Sequence, residues 1–90
     1  MSKFEETLKE LNYEFQEQDG KKLTYRKRMQ FSNLVLVIDL GLKTIRPVSV
    51  PTSFFLYEED ICKCLEEFRI LKADADVLFK RSQGKLRILE

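Results

Sequence analysis

Few residues in this chain have the types and spacing to carry out chemistry. Among 90 residues there is no His and no Trp, and there are two Cys and three Gly. Nucleophilic catalysis near neutral pH usually draws on a His base, and none is present. Cys62 and Cys64 lie two apart in a segment of helical pattern, roughly 200° apart around the axis, which suits neither a disulfide nor a shared metal. They read as small apolar fillers. The carboxylate pairs Glu58/Glu59 and Glu66/Glu67 are neighbours on that same helix and are expected to diverge into solvent. No Gly-rich loop precedes a helix, so no phosphate cradle is visible. The expectation is a non-enzymatic protein with no catalytic residues, no metal and no cofactor.

What remains is binding chemistry. Lys21, Lys22, Arg26, Lys27 and Arg28 fall within eight residues, with Tyr25 among them. A basic strand interleaved with an aromatic can contact phosphates and stack bases, so these six residues are the candidate nucleic-acid contacts. Lys and Arg on a sheet also simply solvate an exposed face. The second candidate surface is apolar. Leu34-Val35-Leu36-Val37-Ile38 is apolar at both parities, as in a strand covered on both faces. Phe54-Phe55-Leu56-Tyr57 forms a dense cluster after Pro51. Arg26, Arg28, Val35 and Val37, with Phe54, Phe55 and Tyr57, are therefore the candidate partner-binding residues. Val35 and Val37 would be covered by another chain or by the Phe54–Tyr57 segment. A homodimer and a different protein partner both meet that need.

The elements that must position these residues follow from periodicity. Ser2-Lys3-Phe4-Glu5 is a capping box, and Phe4, Leu8 and Leu11 continue at helical spacing. After Asn12 the period becomes two, and Asp19-Gly20 signals a turn. Leu23, Tyr25, Met29 and Phe31 share one strand face with Lys27; Lys22, Thr24, Arg26, Arg28 and Gln30 form the other. Ser32-Asn33 reads as a tight turn into the 34–38 run, and 39–43 around Gly41 as another. Residues 44–50 are extended, with Pro47 favouring an edge strand. From Tyr57 to Arg81 the pattern is helical, with Ile61, Leu65, Phe68, Leu71 or Lys72, Ala75 and Phe79 as one stripe, flanked by Cys64, Leu78 and Ser82. Such a helix is about 37 Å long, more than a small sheet needs for cover. A break near Asp74-Ala75-Asp76, or an end packed on a second copy, would absorb the excess. Gly84 suits the position just past the helix, and 85–90 reads as a short strand or a tail. The predicted fold class is α+β and two-layer: an antiparallel sheet of three to four strands, a short N-terminal helix and a long C-terminal helix (α-β-β-β-(β)-α), in one domain spanning 1–90.

This element order is similar to that of double-stranded RNA-binding domains. Those domains open their last helix with lysines, whereas Tyr57-Glu58-Glu59-Asp60 stands here and would repel phosphate. The chain is assigned to no family on these residues. Its formal charge of +1 argues against wholesale phosphate neutralisation. The charge is segregated: residues 1–19 hold six acidic and two basic residues, and the section 20–51 is strongly basic. No secretory signal or membrane-length apolar run is read in the chain, so the expected location is cytoplasmic and away from membranes. The function expected is macromolecule binding. The first reading is a protein-interaction, inhibitory or regulatory module, of the sort mobile elements encode. The alternative is nucleic-acid binding through strand 21–28.

Overall fold

The computed structural model describes residues 3–52 and 57–89. The elements run α1 (Lys3–Glu10), β1 (Glu14–Asp19), β2 (Lys22–Arg28), β3 (Ser32–Asp39), β4 (Thr44–Pro51), α2 (Glu58–Arg81) and β5 (Arg87–Ile88). The five strands form one sheet in the order β1-β2-β3-β4-β5, antiparallel except for β4 and β5, which run parallel. The fold is therefore α+β with a short N-terminal and a long C-terminal helix, and its sheet has one strand more than the three to four expected. The fifth strand is the 85–90 segment, which the crossover through α2 brings back alongside Thr44 and Ile45.

The β2 and β3 alternation follows from side-chain parity. On β3, Ser32, Leu34, Leu36 and Ile38 are buried while Asn33, Val35, Val37 and Asp39 are half-buried. Leu34, Leu36, Ile38 and Ile45 join Leu8, Tyr13, Tyr25, Leu71, Ala75, Leu78 and Leu86 in a single core cluster. The capping serine, Ser2, lies outside the described residues, as do Phe54 and Phe55.

Three local expectations are corrected. The reversal between β2 and β3 sits at Met29–Phe31, not at Ser32-Asn33, which open β3. The cause is Glu67 of α2: its carboxylate accepts the Phe31 amide (3.1 and 3.2 Å) and the Ser32 hydroxyl (2.7 Å) and fixes the turn there. Glu67 is accordingly buried instead of diverging into solvent beside Glu66. On α2 the buried stripe is Glu67, Leu71, Asp74, Ala75 and Leu78, rotated away from the apolar ridge, so Ile61, Leu65 and Phe79 stay exposed. Finally, α2 runs unbroken through Asp74-Ala75-Asp76. Asp74 is no breaker because its carboxylate points inward to partners, which leaves the helical backbone intact.

Asp74 receives the Tyr13 hydroxyl at 2.8 Å and the Lys27 ammonium at 3.2 Å. Lys27 also sits over the Tyr13 ring, 5.4 Å from its centroid. Glu67 and Asp74 are seven residues apart, two helical turns, and so project from one side of α2.

The edge of β4 is capped by chemistry. The Lys43 and Ile45 carbonyls accept from Arg87 and Leu89 of the β5 segment, so by alternation Pro47 and Pro51 face the same side. β5 covers only Thr44 and Ile45, and beyond them the open edge meets two residues without an N–H. The proline therefore marks an edge, as its lack of a donor requires. Past α2 the chain enters the left-handed region at Gln83 (φ 55°) before Gly84 (φ 81°).

Two outcomes follow for stability. Asp74→Ala leaves Lys27 and the Tyr13 hydroxyl without their shared acceptor and should cost about 3 kcal/mol in urea unfolding. An effect under about 0.5 kcal/mol would class the contact with weak surface pairs. Gln83→Gly relieves the left-handed strain and should raise stability by about 1 kcal/mol.

Candidate functional site

The residues singled out from sequence divide between the two faces of β2. Cross-strand register places Arg26 between Glu14 of β1 and Val35 of β3, and Arg28 beside Asn33. Val35 in turn pairs with Val48 of β4, and Val37 with Arg46. Parity puts Lys22, Arg26, Arg28, Val35, Val37, Arg46, Val48 and Val50 on one sheet face, which we call the outer face, with Glu14, Glu17, Asp19 and Asp39 toward its margins. There Arg26, Arg28 and Arg46 are exposed, and Val35, Val37 and Val48 half-buried. Among the described residues none of the three arginines has an ion-pair partner; the ion pairs there are Lys27–Asp74 and Lys80–Asp76. Asn33 Oδ1, opposite Arg28, is a buried acceptor without a partner.

Tyr25 and Lys27 face the other way. Tyr25 is buried, edge-on to Phe15 at 5.7 Å between ring centroids, and Lys27 is committed to Asp74. The basic row that solvent meets is thus Lys21, Lys22, Arg26 and Arg28. Tyr57 stands exposed at the start of α2, with no side-chain cap on that helix.

Buried titratable groups raise the question of catalysis. Burial pushes the Tyr13 hydroxyl far above its ordinary value, and the hydrogen bond and charge of Asp74 add to the effect. Tyr25 is raised as well, by burial first and then by the charge of Glu5. Both Glu67 and Asp74 are spent on protein donors, and neither lines any of the larger cavities. Among the described residues no group of three or more Cys, Asp or Glu could hold a metal ion. No described helix is long and apolar enough to cross a membrane. Cys62 and Cys64 are free thiols.

One large concavity among the described residues was not singled out from sequence. It lies between the start of α1, the inner side of β2, the β3–β4 turn and the segment after α2, with a volume of about 910 Å³. Phe4, Leu23, Leu40 and Leu86 give it apolar walls. A signal was present: Leu40 and Leu42 flank Gly41 in a turn, where reversal alone needs no leucine.

Compared with known proteins, the chain matches no family model, no curated protein and no solved structure. Fold and surface chemistry alone therefore define its class: an α+β domain whose outer sheet face carries exposed arginines and half-buried valines.

The tyrosine shifts generate a pH dependence. Free tyrosine titrates near pH 10, and both buried hydroxyls hold their protons to higher pH when folded. Above about pH 10 the unfolded chain has released protons that the folded chain keeps, so stability falls as pH rises further. We expect the urea midpoint of Tyr13→Phe to fall less steeply over that range than that of the parent chain, with Tyr25 leaving a residual slope. Identical slopes would show that Tyr13 is not held neutral.

Proposed function

We propose that this protein is a non-enzymatic binding module, inhibitory or regulatory in type, that captures a protein partner on its outer sheet face. In this reading the domain is two-layered, with both helices on the inner side and the outer face left to a partner. The observation that carries it is the set of unpaired arginines, Arg26, Arg28 and Arg46, around the valines Val35, Val37 and Val48. An apolar centre with a charged rim is the anatomy of a protein interface.

Charge selects the kind of partner. In a face-to-face dimer with its two-fold axis across the strands, each strand lies over its own mate, so Arg26 and Arg28 face their equivalents. With the axis along β3, β2 lies over the partner's β4 at the same level, so Arg26 meets Val48 of the partner subunit and Arg28 meets Val50 of the partner subunit. The first arrangement juxtaposes like charges and the second covers arginines with valines and no counter-charge, and each costs affinity. The occupant favoured is a different protein with carboxylates spaced around an apolar patch. The unpaired arginines also support the second reading, nucleic acid, although that reading loses Tyr25 and Lys27 from its six residues.

The test is cross-linking in extract of the native host, followed by titration of the purified partner. Val35→Lys/Val37→Lys and Arg26→Glu/Arg28→Glu should both stay folded, and each should weaken the partner's binding at least tenfold. Unchanged binding by either pair, or loss of folding in the valine pair, contradicts the proposal. Oligonucleotide affinity that falls steeply between ~50 and ~200 mM salt would transfer the site to nucleic acid.

A further inference from the structure

The 910 Å³ groove on the inner side is separate from the outer face and has its own chemistry. Its walls are apolar, while Lys3, Lys43, Arg81 and Lys85 stand around it against one acid, Glu5. These four cations come from α1, the β3–β4 turn, the end of α2 and the segment beyond it, so the fold and not one basic run of sequence assembles them. Arg81 also complements the C-terminal end of the α2 dipole, which the other three do not.

The apolar wall is held rigidly in an exposed position. The Leu40 amide donates to the Lys21 carbonyl at 2.8 Å, and Asp39 Oδ1 accepts the amides of Gly41 and Leu42 at 2.9 Å each. Leu40 nonetheless keeps 49% of its surface exposed. Lys43 and Gln83, both lining the groove, are two of the three non-glycine residues with positive φ. Left-handed backbone costs about 1 kcal/mol per residue, and it is spent here on the rim.

We infer that this groove binds a single-chain anionic amphiphile, its hydrocarbon tail along Phe4, Leu23, Leu40 and Leu86 and its acidic head among Lys43, Arg81 and Lys85. An apolar trough suits one chain with low polarity along its length, and the surplus of cations at the rim selects the sign of the head. A bilayer surface presents the same head chemistry, but a concave groove admits a separate chain better than a flat array of headgroups.

The probe is dodecanoate below its critical micelle concentration, titrated into the full chain labelled for amide NMR. We expect saturable shifts at Leu40, Gly84 and Leu86, with Val35 and Val37 unmoved. Decanoate should bind roughly tenfold more weakly, as two fewer buried methylenes require. Dodecyltrimethylammonium, with the same tail and a cationic head, should bind at least tenfold more weakly than dodecanoate. The exposed double variant Lys43→Glu/Lys85→Glu should lose roughly tenfold in dodecanoate affinity, and Leu40→Asp should lose more. Equal affinity for both heads, unchanged affinity in both variants, or shifts centred on the outer face would overturn the site. Co-sedimentation with phosphatidylglycerol vesicles, without response to free dodecanoate, would overturn the single-chain ligand.

Discussion

Burying a carboxylate is costly unless every strong acceptor position finds a donor, and that constraint organises this protein. Glu67 and Asp74 project from one side of α2 into the interior. Glu67 is satisfied only if the Met29–Phe31 reversal comes to it, and Asp74 only if Tyr13 and Lys27 do. Helix, hairpin and the entry to β1 are therefore mutually registered. Non-directional apolar burial alone would tolerate α2 sliding or rotating against the sheet. The two carboxylates, two turns apart, resist both movements.

The surfaces follow from that register. With Glu67, Leu71 and Asp74 turned inward, the ridge bearing Ile61 and Leu65 is left in solvent. The end of α2 is fixed near the β3–β4 turn and α1, which creates the inner groove and its cationic rim. On the sheet, Lys27 is consumed by Asp74, whereas its neighbours Arg26 and Arg28, at the opposite parity, are left without ion pairs. One strand thus divides its basic residues between holding the fold and facing solvent. Prolines at the open side of β4 make that edge a poor template for strand pairing.

Much of this was legible in the residues, and the illegible parts share a cause. The period-two pattern of β2 and the helical spacing of α1 are local signals, and both elements form, although β2 ends at Arg28, short of the Phe31 that its alternation indicates. The dual-parity apolar run forms an inner strand flanked by β2 and β4, with one parity buried and the other half-buried. The orientation of α2 was not legible, because the most apolar ridge and the buried stripe differ by a rotation. Hydrophobicity ranks Ile61 and Leu65 above Glu67 and Asp74, and only donors distant in sequence reverse that ranking. The displaced turn at Ser32 has the same origin, since its Glu67 partner lies 35 residues away. The residues of 85–90 left strand and tail both open, and the pairing of Arg87 and Ile88 with β4 makes the choice. The groove is assembled from four segments, so no single stretch of sequence could display its charge surplus.

The most direct measurement of the organising claim is native-state hydrogen exchange at the Phe31 amide, compared with Leu36 in the centre of β3. A turn residue whose amide is held by Glu67 should exchange only when α2 leaves the sheet. Its opening free energy should therefore match that of Leu36 within about 1 kcal/mol. Exchange at the rate of an ordinary solvent-exposed turn would show that Glu67 does not hold the hairpin, and the registration of helix to sheet would have to rest on apolar contacts alone.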